Sequence, residues 1–369
     1  MRELLRREAA RARTTWPVWT TWGALVWTIG YGALGIAWWA GFGAYPFGPV
    51  PLDRRSLSIL EGLPVEVFGP AMTIVAAVGA ACAVFMLRGG GSARTRRLVT
   101  AFGAAMAVVA TSIVPDYTLL AVAALWPLFI VFAVFGVPGA QDGIADILYW
   151  HRMNLVIVFA GGLLWAAATL AHRRRSRGAC PNCGRIHGLT GSTTARMAQR
   201  SWGRAWAGLA IAATLPYELT RIAWFTGWPL GLTDEMYASL QDPPELLTVG
   251  LLLALLSIGG AVLTHGLAAP WGERFPRWFG PLAGRRVPVP LAVVPAAAVA
   301  VTIPPAALMS LSPAASGGYD WANWGTWLPG VLLIVWAIGL GMATWSYHLR
   351  RRGACRVCAA SGPQEPVVS

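Results

Sequence analysis

The sequence contains no lysine, and only 12% of its residues are charged. Soluble globular proteins carry roughly 25% charged residues, so this composition excludes an ordinary soluble domain. Several catalytic signatures are also missing, namely a phosphate-binding glycine loop, His-Glu-x-x-His, Gly-x-Ser-x-Gly and the Cys-x-x-Cys-His of covalent haem attachment. A membrane enzyme acting on a lipid or quinone is therefore an alternative without a candidate acid–base pair, and we expect no enzyme.

Hydrophobic residues make up 56% of the chain and form several runs of about the 20 residues that a helix needs to cross a bilayer. The 20 tryptophans agree with this environment, because indole rings favour the membrane–water interface. We therefore predict an all-α polytopic integral membrane protein, with the lipid bilayer as its surroundings.

Eight hydrophobic runs are predicted as transmembrane helices. They are residues 16–41, 68–87, 98–114, 152–171, 205–228, 246–267, 287–311 and 327–347. A further apolar stretch, residues 118–137, is interrupted by Pro127. We interpret it as a re-entrant or outer-leaflet segment, because a full span here would place all the following arginine-rich loops on the opposite side.

The order of features repeats along the chain. Each half ends with a burst of arginine and a Gly-Ala-Cys-x-x-Cys, and Ile36-Ala-Trp-Trp-Ala-Gly41 matches Ile222-Ala-Trp-Phe-Thr-Gly227. We predict two tandem four-helix repeats, as found in many membrane proteins. The predicted parts are a cytoplasmic N-terminal tail (1–15), the first repeat (16–183), a cytoplasmic linker (184–204), the second repeat (205–358) and a disordered C-terminal tail (359–369).

Charge predicts the orientation. All but four of the 29 basic residues lie in the N-terminal tail, in two loops and in the segments after the two repeats, whereas acidic residues concentrate in the opposite loops. Basic loops stay in the cytoplasm. We therefore expect a bacterial cytoplasmic (inner) membrane, with both termini and both cysteine pairs in the cytoplasm. This placement also explains the net charge of +13 without nucleic acid as a partner.

Four of the five cysteines form two Cys-x-x-Cys pairs, Cys180/Cys183 and Cys355/Cys358. Cys180-Pro-Asn-Cys183-Gly184 resembles the knuckle of a zinc ribbon or rubredoxin over these five residues, whereas the second pair lacks the proline and the glycine. If the pairs meet on one face, they supply the four thiolates of one structural zinc. Metal-free thiols are the alternative, and a redox dithiol is less compatible with a reducing cytoplasm.

The most unusual intramembrane residues lie in Pro216-Tyr217-Glu218-Leu-Thr-Arg221. Glu218 and Arg221 are three positions apart, so they share a helix face and could pair. Charges at this depth cost on the order of 3 kcal/mol each, and they often mark a functional site.

Alignment of the halves places Tyr31 with Tyr217, and Gly32 and Gly35 with the two charged residues. We assign Tyr31, Tyr217, Glu218 and Arg221 to a candidate substrate or ion pathway, with the glycines leaving room for the charges. An ion pair that only locks two helices is the alternative.

Two functions follow. The first is a small-solute or ion permease that uses the interface between the two repeats. The alternative is a membrane-anchored scaffold or sensor, in which a cytoplasmic arginine- and cysteine-rich face with one structural zinc binds a soluble partner or anionic lipid.

Overall fold

The computed structural model describes residues 16–48, 58–120, 149–185, 192–242, 245–311 and 319–353, together with Cys355, Val357 and Cys358. Throughout these residues the secondary structure is helical, with one isolated bridge between Arg274 and Arg286 and no strand. The predicted all-α architecture is confirmed. The helices are α1 (Trp16–Trp39), α2 (Val65–Arg88), α3 (Ala93–Val108), α4 (Trp150–Ser176), α5 (Ser192–Met197), α6 (Arg200–Phe225), α7 (Asp234–Leu240), α8 (Glu245–Gly266), α9 (Val289–Ser310) and α10 (Trp324–Arg351).

Six helices in the described ranges are long and apolar enough to cross a membrane. They are α2, α3 with its π-helical extension to Ile113, α4, α8, α9 and α10. Their length and composition suggest a multi-pass membrane protein in a lipid bilayer. The prediction of eight spans is met only in part, because α1 and α6, with 24 and 26 residues, are long enough but are not among the six. Tryptophan, threonine and glycine keep the mean hydropathy of α1 low although it has no charged residue, and α6 contains charges.

The described residues form two compact units. The first contains α1 to α4 together with Cys355, Val357 and Cys358, and the second contains residues 119–120 and α5 to α10. In the first unit, α1 packs against α2 and α4, and α3 packs against α4. In the second unit, α6 packs against α8 and α10, and α9 packs against α10. The first long helix of each unit therefore contacts the second and the fourth.

Glycines allow α1 and α2 to approach closely. A Cβ atom on Gly32 would lie 2.5 Å from the Cβ atom of Ala76, and one on Gly35 would lie 3.3 Å from the Cβ atom of Met72. The space beside both glycines is thus filled by α2. These glycines serve packing within the first unit.

Buried hydrogen bonds fix α4 against α1. The indole of Trp165, which is fully buried, donates to the hydroxyl of Thr28 at 3.0 Å. The hydroxyl of Tyr31 donates to Oδ1 of Asn154 at 2.8 Å. These bonds fix the axial position of α4 relative to α1. They therefore also fix the position of the first cysteine pair, which follows the last turn of α4.

The segments between helices differ from expectation in one place. The predicted linker 184–204 contains α5, and α6 already begins at Arg200. The predicted re-entrant segment 118–137 lies outside the described residues apart from positions 118–120, as do the predicted tails 1–15 and 359–369.

Candidate metal centre and buried charges

The two cysteine pairs come together in the first unit. The Sγ atoms of Cys180, Cys183, Cys355 and Cys358 all lie within 4.8 Å of one another, and those of Cys183 and Cys358 are 3.6 Å apart. All four are free thiols, since a disulfide requires sulfurs about 2.05 Å apart. Zinc–sulfur bonds of about 2.3 Å separate the sulfurs of a tetrahedron by about 3.8 Å. The four thiols therefore fit one metal ion.

The first pair forms a tight turn. The N–H of Gly184 donates to the carbonyl of Cys180 at 2.8 Å, and the N–H of Cys180 donates to the carbonyl of Arg185 at 2.9 Å. Gly184 has a φ of 73°, in the left-handed region that favours glycine. The turn thus depends on the glycine that follows the pair, as in the knuckle that this sequence resembles.

The second pair also forms a turn, although it lacks the proline and the glycine. The backbone N–H groups of Val357 and Cys358 donate to Sγ of Cys355. Burial disfavours the ionised form, but these N–H groups and the thiols of Cys183 and Cys358 lower the pKa of Cys355 to about 7. Hydrogen bonds from N–H groups stabilise a thiolate, as a metal ligand requires.

Cys183 has the opposite shift. Burial and the three neighbouring thiols raise the pKa of Cys183 to about 12, although the N–H of Arg185 lowers it. Adjacent thiolates repel one another, so four ionised sulfurs at these distances require a cation among them. A divalent metal ion satisfies this requirement.

Arg174, at the end of α4, holds the first turn in place. Its Nη1 donates to the carbonyls of Pro181 at 3.0 Å and Asn182 at 2.9 Å. Its guanidinium also lies 5.6 Å from the ring of Trp16. From the sequence, the arginine burst indicated membrane orientation and a face for a partner or anionic lipid, and this supporting contact was not predicted. The signal was the position of the arginine six residues before the first cysteine.

One arginine of each burst binds an equivalent carbonyl. Arg175 donates to the carbonyl of Met86, in the last turn of α2, at 3.0 Å. Arg350 donates to the carbonyl of Leu267, directly after α8, at 2.8 Å. Each arginine lies five residues before the first cysteine of its pair. In each unit, the contact therefore joins the end of the fourth long helix to the end of the second.

Glu218 and Arg221 of α6 lie at different levels along α8. Glu218 is buried and accepts a hydrogen bond from the hydroxyl of Ser257, near the middle of α8, at 2.9 Å. Arg221 lies instead beside Gly250, two helical turns away on α8, with its guanidinium 4.1 Å from the ring centroid of Trp224. No ion pair joins the two charges among the described side chains. The pairing that their spacing allows is not formed.

No protein-family model, curated protein or solved structure matches the chain. Any function is therefore inferred from its own residues.

The two tyrosines assigned to the candidate pathway lie in different units. Tyr217 stacks near Arg221, with 4.9 Å between its ring centroid and the guanidinium. Tyr31 is buried in the first unit, where it bonds to Asn154 and stacks on Trp27 with centroids 4.9 Å apart. Within its own unit, Tyr31 has the contacts of a residue that joins two helices.

A buried carboxylate beyond α3 was not singled out by sequence analysis. Asp116 is 1% exposed, and its Oδ1 accepts the N–H of Thr118 at 2.9 Å. Its Oδ2 has no partner among the described residues. Burial raises the pKa of the Asp116 carboxyl, against the lowering effects of the Thr118 hydrogen bonds and the nearby charge of Arg152. The sequence showed only an interruption between apolar segments.

Proposed function

We propose that the protein is a membrane-anchored scaffold or sensor whose cytoplasmic face, organised by one structural zinc, binds a soluble partner or anionic lipid. The observation that carries this proposal is the meeting of four thiols within 4.8 Å. Four thiolates fill the tetrahedral shell of zinc and leave no open position for a substrate. When bound, the metal would supply a fixed cross-link rather than a reactive centre.

Each part of the chain has a defined role in this centre. Cys180 and Cys183 would hold the metal at the end of α4, where Arg174 supports their turn. Cys355 and Cys358 would complete the shell. Because these two cysteines follow α10 directly in sequence, the metal would fasten the end of the chain to the first unit.

Eight spans remain part of the proposal, and the thiols support the four spans of the second repeat by parity. Cys183 and Cys355 lie side by side, so the chain must cross a bilayer an even number of times between them. The apolar helices α8, α9 and α10 supply three crossings. We assign the fourth to α6, whose 26 residues are enough to span.

We also propose that the two units are a duplication. It is supported by the matching order of helix contacts in the two units and by the equivalent carbonyl contacts of Arg175 and Arg350. The excess of arginine beside the metal centre favours the cytoplasmic side of a bacterial inner membrane. Arg173 and Arg177 are exposed there, and each basic residue near an anionic membrane surface contributes about 1 kcal/mol of attraction.

The test compares three forms purified from membranes in mild detergent: wild type, the double variant Cys183→Ser/Cys358→Ser, and Cys82→Ser as the matched control outside the cluster. We expect wild type and the control to carry one zinc per chain and to retain the same cytoplasmic protein or anionic lipid in stoichiometric amount. The double variant should lose both. Retention of the partner or lipid by a metal-free double variant would refute the scaffold role.

A small-solute or ion permease is the second candidate, and the carboxyl of Glu218 favours it. This group is buried and bonds to Ser257, which lies near the middle of α8. Ionisable residues at such a depth in the membrane often belong to ion or proton pathways. Proton and sodium fluxes into vesicles should be measured for wild type and Glu218→Gln, with the exposed Glu235→Gln as control. Normal yield with lost flux supports the pathway. Lost yield, or unchanged flux, contradicts it.

A further inference from the structure

A pocket of about 200 Å³ lies in the second unit beside α6 and α8. Its lining consists of Arg221, Trp224, Leu240, Leu246, Leu247 and Gly250. Arg221 is the one charged residue of this lining, and the others present aliphatic or indole surface. Such a combination of one fixed polar group with apolar walls is typical of sites for amphipathic small molecules.

The guanidinium of Arg221 is held in place, and no carboxylate of the described side chains pairs with it. The rings of Trp224 and Tyr217 lie 4.1 Å and 4.9 Å from it, and a Cβ atom on Gly250 would lie 3.3 Å from its Cδ. Its Nη1 is buried and has no hydrogen-bond partner among the described residues. The guanidinium also forms a hydrogen bond with Tyr217, and contact with aromatic faces leaves Nη1 available as a donor.

The pocket lies beside the N-terminal end of α8. Arg350 binds the carbonyl of Leu267, so the C-terminal end of α8 lies beside the end of α10. Leu246 and Gly250 are at the other end of α8. Gly250 lies four residues inside the candidate span, which is about 6 Å along the helix axis. The guanidinium is therefore close to the level where hydrocarbon meets headgroups.

We propose that this pocket binds a phosphate or carboxylate oxyanion attached to an apolar chain. The Arg221 guanidinium would donate to the oxyanion, because its planar fork matches carboxylate and phosphate geometry. The leucines and Trp224 would contact the first part of the hydrocarbon. Two sources have this chemistry, namely an anionic phospholipid of the bilayer and a free long-chain carboxylate.

This site is separate from both proposed functions. No residue of its lining belongs to the cysteine cluster, and Glu218 contacts α8 seven residues further along, at Ser257, about 10 Å away along the axis. Failure of either proposed function would leave the inference standing.

The test measures two probes on protein in nanodiscs of neutral lipid. One is phosphatidylglycerol added to the disc and counted by native mass spectrometry, and the other is radiolabelled palmitate added from solution. Wild type is compared with Arg221→Gln, which removes the charge, and with Leu247→Trp, which fills the pocket and keeps the arginine. Glu235→Gln, which removes an exposed charge of the second unit outside the pocket lining, is the control.

We expect saturable binding of at least one probe to wild type and the control, and a loss of affinity of tenfold or more in both pocket variants. Preference for phosphatidylglycerol identifies a bilayer lipid, and preference for palmitate identifies a free carboxylate. If Arg221→Gln does not fold, Leu247→Trp decides. Wild-type affinity in Leu247→Trp, or no saturable binding of either probe to wild type, overturns the proposal.

Discussion

Zinc should stabilise the first unit by an amount that its affinity determines. The four thiols are already within 4.8 Å, so closing them to the roughly 3.8 Å of a zinc tetrahedron requires movements of about 1 Å. A ligand that binds only the folded state at 100 times its Kd stabilises that state by about 2.7 kcal/mol. For domains of this size, each kcal/mol shifts the unfolding midpoint by about 2–4 °C. We therefore expect zinc to raise the midpoint by about 5–10 °C over chelated protein.

The assay is scanning fluorimetry in detergent at buffered free zinc, with three proteins. Wild type and Cys82→Ser should show the full shift, because Cys82 lies in α2 outside the cluster. Cys183→Ser/Cys358→Ser should show none. An equal shift in the double variant would place the zinc elsewhere and refute this reasoning.

The same shift should depend on pH with a definite sign. Thiols must lose protons to bind zinc, and the pKa of Cys183, raised to about 12 by burial and neighbouring thiols, means that this proton is still present at neutral pH without metal. Zinc affinity, and with it the stabilisation, should fall as the pH is lowered from about 8 to about 5.5. A shift that stays constant over this range would contradict thiolate ligation.

Three further predictions concern single residues. Gly32→Ala should destabilise the first unit by about 1–3 kcal/mol, because its Cβ would lie 2.5 Å from a methyl group of α2. Gly30→Ala, with open space around it, should not change the stability. Unfolding midpoints in denaturant compare the two variants, and equal midpoints would contradict the packing. Arg174→Gln should weaken zinc binding by about 10–100-fold in competition with a chelator, as loss of a supporting contact does, and Arg173→Gln should leave it unchanged. Burial raises the pKa of Asp116, so the folded state binds its proton more tightly than the unfolded state, and this stabilisation is present at low pH and is lost as the pH rises through the raised pKa. Thermal midpoints of Asp116→Asn should therefore fall less than those of wild type on going from acid to neutral pH, and an equal fall would contradict the burial effect.

Sequence alone identified the four candidate metal ligands because the geometry of each pair is local. Two cysteines separated by two residues must present their thiols close together, so each pair could be read as half of a site. Whether the two cysteine pairs meet depends on where α4 and α10 end, and the spacing of the cysteines in the sequence does not give these positions. The support from Arg174 was missed for the same reason, since a burst of arginines after a span has an equally good explanation in membrane orientation.

Spacing was less informative for the charges in α6. A separation of three residues places Glu218 and Arg221 on one face, but it does not say in which direction each long side chain extends. Here one reaches Ser257 and the other reaches the level of Gly250, with aromatic rings taking the place of the carboxylate. The composition of α6 also does not identify it as a transmembrane helix, because its charges lower its hydropathy. The even number of crossings that the two neighbouring cysteine pairs require is the stronger argument that α6 spans the membrane.

X-ray absorption spectroscopy of the zinc-loaded protein tests the shared centre most directly. Two pairs on one metal predict a first shell of four sulfur atoms at about 2.3 Å, with no oxygen or nitrogen. A shell of two sulfurs completed by lighter atoms would mean that each pair binds separately, and it would contradict the tetrathiolate site and the parity that follows from it.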